Sequence, residues 1–316
     1  MNNRNMRKSP RSAQLAHTFS IVARDPESGE MGVAVQSHWF SVGALVTWAE
    51  AGVGAVATQA FVEVSYGPLG LTFMRAGKSA PDALAALLAA DEGRDLRQVA
   101  MVDAQGQAVA HTGARCLADA GHELGEGFSV QANMMASPNV WPAMARAYRE
   151  AKGDLAEHLL AALEAGQAAG GDIRGQQSAA ILITKSTSTG QSWSDTAMEL
   201  RVEDHPEPIH ELRRLVHLHR AYERMNYGDE LLGTGQTEEA LQEYRAAANM
   251  APEIEEMSFW HAVTLADLDR VDEALPILRE VFAKNADWAR LLSRLSQAGM
   301  MRDDPEMMQR ILALVP

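Results

Sequence analysis

The hydrophobic pattern of the 316-residue chain divides it in two, and that division limits the possible folds more than any other feature. Up to about residue 184, short apolar runs of period 2, bounded by turn residues, are interleaved with stretches of helical spacing. Beyond about 205 the spacing is helical throughout. The change points to two units, and the length suits about two domains of the usual 100 to 200 residues.

In the first region Phe19, Ile21 and Ala23 alternate with Ser20 and Val22. Asp25-Pro26-Glu27-Ser28-Gly29 then supplies turn chemistry before Met31 starts another apolar run, so the segment reads as a β-hairpin. Further strands are expected at 53–58, 99–103, 108–111, 128–132 and 178–184, forming a largely antiparallel sheet. Ser79-Ala80-Pro81-Asp82 has the form of an N-cap with proline and an acid in the first turn, which predicts a helix over 80–90. Helices are also expected at 141–151 and 155–169, the second stopped by Gly170-Gly171. Hairpins interleaved with helices make an α+β layered pattern.

In the second region Glu239-Ala240-Leu241 recurs as Glu273-Ala274-Leu275, an offset of 34 residues, and Tyr244 and Leu278 fall on the same register. That period belongs to tetratricopeptide helix pairs, whose alanines let helices approach closely. Two repeats are fewer than a free-standing solenoid needs, so the unit is expected to lean on the first domain or on a partner subunit, as a homodimer would supply. The Ser/Thr-rich stretch from Lys185 and the prolines 206 and 208 read as the linker. The expected organisation is a basic disordered leader or expression remnant at 1–17, a layered domain at 18–185, a linker at 186–208 and an all-α helical-repeat domain at 209–316.

A net charge of −14 argues against a phosphate-neutralising surface, and hence against nucleic acid as a partner. The single Cys116 can form no intramolecular disulfide and no thiolate zinc cluster, which suits a reducing cytoplasm. The uncharged stretches 31–49 and 127–145 carry glutamine, histidine, asparagine or prolines that a membrane span would not, so no membrane association is expected. The start of the chain holds Arg4, Arg7, Lys8 and Arg11 but no apolar core of a signal peptide.

Familiar catalytic signatures are absent: Gly52-Val53-Gly54 lacks the third glycine of a dinucleotide site, and there is no phosphate loop, HExxH or GxSxG pattern. No cofactor and no metal set is expected. Ser37 and His38, as neighbours on a strand, point to opposite faces and cannot pair with each other. Two segments stand out by position. Along 128–133, Ser129, Gln131 and Asn133 share one face, turned either to solvent or to a buried polar pocket in which Asn133 donates to an oxyanion. The loop 170–178 brings Asp172, Arg174, Gln176 and Gln177 together among glycines.

These segments resemble, in order, the bacterial and archaeal domain of unknown function numbered 1028. The matching blocks are Thr18 to Pro26, Gly32 to Ser37, Gly52 to Gln59, Tyr66-Gly67-Pro68, Ala110 to Gly113 and Gly170 to Ser178. The resemblance implies a four-layer αββα sandwich of the N-terminal nucleophile hydrolase type. In such a fold the first residue of the mature chain attacks a carbonyl while its own α-amine, with a pKa of about 7.7 to 8.0, takes the proton. Thr18 matches that position.

The resemblance then implies an amide-bond hydrolase acting on a small soluble substrate, with Thr18 and Asn133 catalytic and Ser37, Gln59, Asp172, Arg174 and Gln177 lining the substrate site. Seventeen residues precede Thr18, so its amine must be released first. No lysine lies between Thr18 and Lys78, which leaves Arg174 or Arg24 to supply positive charge. The alternative is a catalytically silent ligand-binding or scaffold protein whose helical repeats recruit a protein partner.

Overall fold

The computed structural model describes residues 15–315. The chain divides into two compact units, with the boundary between Arg214 and Leu215. The first unit begins with β1 (Leu15–Ala16), β2 (Thr18–Arg24), β3 (Met31–Ser37), α1 (Gly43–Val46), β4 (Thr47–Glu50) and β5 (Gly54–Phe61). It continues through α2 (Tyr66–Arg75), α3 (Ala80–Ala90), β6 (Arg97–Asp103), β7 (Ala108–Thr112), β8 (Gly121–Gly125) and β9 (Phe128–Ala132). Then come α4 (Val140–Glu150), α5 (Leu155–Ala168), β10 (Ser178–Thr184), α6 (Ser192–Asp195) and β11 (Thr196–Val202).

The fold is a mixed α+β arrangement with two antiparallel sheets. One sheet has six strands in the order β11-β10-β3-β2-β9-β8; in the other, β1 and β4 both pair with β5, followed by β6 and β7. β2 and β3 of the first sheet approach β5, β6 and β4 of the second, while α4 and α5 contact the first sheet and α2 and α3 the second. α4 turns Val140, Met144, Ala145 and Tyr148 inward, one stripe at helical spacing. The expected hairpin, the strand 178–184 and the helix 80–90 lie where the sequence places them, the last capped by Ser79 accepting from Asp82 N.

Strands buried on both faces carry two side-chain sets, and here the sets differ. On the faces turned between the sheets, Val22, Val33, Val35, Ala55, Ala57, Ala100 and Val102 form an apolar cluster. Continuing along the same faces by the two-residue period, the next positions are Ser20 and Thr18, Ser37, Gln59, Gln98, Gln131 and Asn133. Every one of these is fully buried. The space between the sheets is therefore apolar at one end and polar at the other.

Several expectations are corrected. Residues 186–208, read as a linker, contain α6 and β11, and β11 is an edge strand paired along β10 from Ala179↔Val202 to Thr184↔Thr196. The leader 1–17 lies outside the described residues up to 14, but Leu15–Ala16 pairs with β5 and His17 is buried rather than disordered. α2 begins in Tyr66-Gly67-Pro68, a stretch for which no element is expected from the sequence. Proline is tolerated in a first helical turn, and Gly67 lies so close beneath Trp48 that a Cβ would sit 2.3 Å from the indole.

From Leu215 the chain is helical. α7 (Pro208–Gly233) contains the boundary, followed by α8 (Thr237–Met250), α9 (Glu255–Asp267), α10 (Val271–Lys284), α11 (Asp287–Leu295) and α12 (Pro305–Leu312). α8 and α10 have equal length and begin 34 residues apart, with Ala240 and Ala274 both fully buried and α9 packed against each. No described helix is long and apolar enough to cross a membrane.

Candidate active site

The polar end of the inter-sheet space is a single directed chain of hydrogen bonds. Ser129 Oγ donates to Gln131 Oε1 (2.9 Å), Gln131 Nε2 to Ser20 Oγ (2.6 Å), and Ser20 Oγ to Gln59 Oε1 (2.6 Å). Gln59 Nε2 then donates to Gln98 Oε1 (2.7 Å), and Gln98 Nε2 to Thr112 Oγ1 (2.9 Å). Thr112 Oγ1 thus has its proton left for His122 Nδ1, 2.8 Å away. Between the ends of the chain each hydroxyl and amide both gives and accepts, so the direction of each bond follows from its neighbour and the chain is stiffened as a whole.

Thr18 and His17 sit against this network. Asn133 Nδ2 donates to Gln98 Oε1 (2.9 Å) and to the Thr18 carbonyl (3.3 Å), which Gln59 Nε2 also reaches at 3.2 Å. With its nitrogen so committed, Asn133 presents Oδ1 to His17 Nδ1 at 2.8 Å, which requires the proton on Nδ1. Burial lowers the His17 pKa, which favours the neutral ring, and the ring's edge meets Phe61 with centroids 5.8 Å apart.

The carbonyl joining His17 to Thr18 is held by side chains. Ser37 Oγ donates to His17 O at 2.5 Å and Arg174 Nη2 at 2.8 Å. Arg174 is fixed in turn by a two-pronged pair with Asp172, Nε to Oδ1 at 3.0 Å and Nη2 to Oδ2 at 2.6 Å; the Asp172 side chain is fully buried. Asp172 also accepts from the backbone nitrogens of Arg174 and His38. Gly170, Gly171 and Gly175 all adopt positive φ, which lets the loop turn tightly enough to present this pair. Of the four non-glycine residues in the left-handed region among the described residues, two, Ala60 (φ 70°) and Met134 (φ 58°), directly follow Gln59 and Asn133, so backbone strain adjoins both amides.

The structure therefore brings Thr18, Ser37, Gln59, Asn133, Asp172 and Arg174 together. Gln177 is not among them, since its side chain donates to Asp204 Oδ1 at 3.1 Å. Arg24 bonds the carbonyl of Asp25 and takes no part. Ser37, the last residue of β3, is buried, and His38, just beyond the strand, is exposed. Sequence reasoning missed His17, Ser20 and Gln98. Gln98 had a signal, an uncharged amide on the same two-residue register as Ala100 and Val102; His17 had none, being at the end of a segment read as leader. Among the described residues no cluster of three or more histidine, cysteine or acidic side chains is placed to hold a metal.

Comparison with known proteins concerns the first unit. No curated protein matches the sequence. A crystal structure of a Silicibacter pomeroyi protein, described as a member of DUF1028, aligns with a TM-score of 0.58 and 31% identity, covering 64% of this chain and 88% of that one. The profile of the family of unknown function DUF1028 matches residues 18–212, a span that starts at Thr18, takes in all six site residues and runs through β11. The chain belongs to that family.

Proposed function

We propose that this protein is an N-terminal nucleophile amidohydrolase whose nucleophile, Thr18, is released by cleavage of the His17–Thr18 peptide bond. The observation that carries the reading is the pair of donors on the His17 carbonyl, the Ser37 hydroxyl and the Arg174 guanidinium. Two fixed donors, one cationic, in a buried site are what a developing oxyanion needs. Addition of Thr18 Oγ1 to the His17 carbonyl carbon, followed by rupture of the C–N bond, moves the acyl group to oxygen and the hydroxyl proton to the freed amine. Water then hydrolyses the ester to a His17 carboxylate and a free Thr18 hydroxyl.

After cleavage the same donors receive a substrate amide carbonyl. The Thr18 amine accepts the hydroxyl proton during attack and returns it to the leaving amine; water completes the cycle. Asn133, whose amide is committed to Thr18 O and Gln98, positions the nucleophile, and the oxyanion role falls to Ser37 and Arg174. The layering of helices, two sheets and helices supports an N-terminal nucleophile fold, and the 34-residue offset of α8 and α10 supports a tetratricopeptide-like helical unit.

Amide hydrolysis by the processed chain tests this reading. Thr18→Ala removes activity entirely while costing only about 0.5 to 1.5 kcal/mol of stability, and Thr18→Ser retains part of it. Hydrolysis that survives Thr18→Ala would refute the mechanism.

A second reading, partner recruitment by the helical unit, rests on one observation. A cavity of about 360 Å³ there has an apolar floor including Met225, Tyr244 and Trp260, with Asp229 and Asp267 exposed at its edge. From Leu215 onward ten basic residues face eighteen acidic ones, a net charge of −8. The partner suited to it is a basic segment with apolar side chains, captured in a salt-dependent way.

A further inference from the structure

We infer that the segment ending at His17 occupies the acyl side of the substrate site, and that the processed protein takes peptides with histidine immediately before the scissile amide. This rests on the reading of Thr18 as nucleophile. Three successive features of the segment are those of a bound substrate. Its backbone adds to the second sheet, Leu15 opposite Phe61 and Ala16 opposite Ala60, along an edge of β5 that β4 leaves unpaired beyond Ala57. Its carbonyl lies on Ser37 and Arg174. Its last side chain, the His17 ring, fills a buried pocket between Phe61 and Asn133.

The pocket's polarity is set by the network behind it. Asn133 cannot rotate to offer its nitrogen, because that nitrogen is held by Gln98 Oε1, and Gln98 is itself held through Nε2 by Thr112 Oγ1 and by the carbonyls of Gly121 and Ala132. The pocket therefore presents an acceptor. A neutral imidazole satisfies it through Nδ1–H. A carboxylate would set acceptor against acceptor, and an aliphatic side chain would leave Asn133 Oδ1 buried without a partner. Phe61 meets the ring edge-on, a contact that favours a flat side chain. Once the leader departs, the vacated β5 edge accepts an extended peptide backbone, which pairs with main-chain groups irrespective of sequence, while the pocket selects the residue.

The experiment uses the chain from Thr18 onward, released from a fusion partner so that Thr18 is its first residue. Its substrates are acetyl-Leu-Ala-Xaa coumarylamides with Xaa histidine, alanine, leucine or aspartate. The expected result is a kcat/KM for histidine about tenfold or more above the others, lost in Asn133→Leu. Equal or faster hydrolysis of the alanine, leucine or aspartate substrate would overturn the inference while leaving the hydrolase reading intact. If no amide is hydrolysed, calorimetry with acetyl-Leu-Ala-His decides: binding that Asn133→Leu abolishes upholds the site without the activity, and absence of binding overturns it. A second arm keeps the leader in place. In the full chain carrying Thr18→Ala, which stays uncleaved, His17→Gly leaves a ring-sized cavity, and millimolar imidazole is expected to raise the thermal midpoint of that variant but not of Thr18→Ala alone or of the chain that adds Asn133→Leu to His17→Gly. An equal rise in all three would contradict the assigned pocket.

Discussion

The two units of the molecule treat polar side chains in opposite ways. Among the described residues sixteen polar or charged residues are buried up to Arg214, and from Leu215 onward only His261 is, so the difference is one of design and not of size. The helical unit fills its core with Phe259, Phe282, Leu278, Leu292 and their neighbours, which is the least costly way to bury helices. The first unit instead holds amides and hydroxyls at one end of its inter-sheet space, where burial is tolerated only because nearly every donor has an acceptor. Among the described residues, polar burial on that scale is confined to the first unit, while the helical unit is packed by apolar side chains.

The comparison is broken most forcefully at Gln98, which joins Gln59, Asn133 and Thr112. Gln98→Leu is nearly isosteric but leaves several buried groups without partners, and it is expected to destabilise the first unit by about 3 to 5 kcal/mol in denaturant titration. A loss below about 1 kcal/mol would mean the network contributes little.

The exception in the helical unit gives the next effect. Burial lowers the His261 pKa to about 4, with the nearby Arg245 and Arg270 acting in the same direction. Above pH 6.5 the ring is neutral whether folded or unfolded. As the pH falls from 6.5 to 4 the unfolded chain takes up a proton that the folded one refuses, so stability declines across that window by about 3 kcal/mol. His261→Phe should flatten this acid limb in pH-dependent thermal melts; an unchanged limb would place the acid sensitivity elsewhere.

A smaller effect has the opposite sign. Gln36 lies on the helix-facing side of β3, fully buried, with neither amide atom bonded among the described residues. Gln36→Leu should stabilise by about 1 kcal/mol, raising the melting temperature of a unit this size by about 2 to 4 °C. Destabilisation would show that the amide has a partner after all.

How legible each region is follows from the same contrast. The hairpin of β2 and β3 is written in alternation and in Asp25 to Gly29, and the polar row Ser129, Gln131, Asn133 is visible as a period-2 pattern inside an uncharged stretch. Its burial is not visible, because alternation looks the same whether the polar face meets water or another sheet; only the pairing of β9 with β2 and the approach of β6 settle that. β11 escaped notice although it carries the same signal. In Thr196–Val202, Met198, Leu200 and Val202 alternate with the exposed Glu199 and Arg201, but the Ser/Thr-rich stretch before it and the prolines after it read as a linker. The site residues on strands and in the glycine loop were readable, whereas His17 takes its role wholly from tertiary placement.

Intact mass spectrometry on the chain expressed from Met1 tests the central claim most directly. The account predicts loss of residues 1–17, leaving Thr18 first, with Ser37→Ala and Arg174→Leu each slowing the cleavage by about a hundredfold and Thr18→Ala remaining whole. Wild-type protein that stays uncleaved, or a Thr18→Ala variant cut at the same bond as fast as wild type, would contradict it.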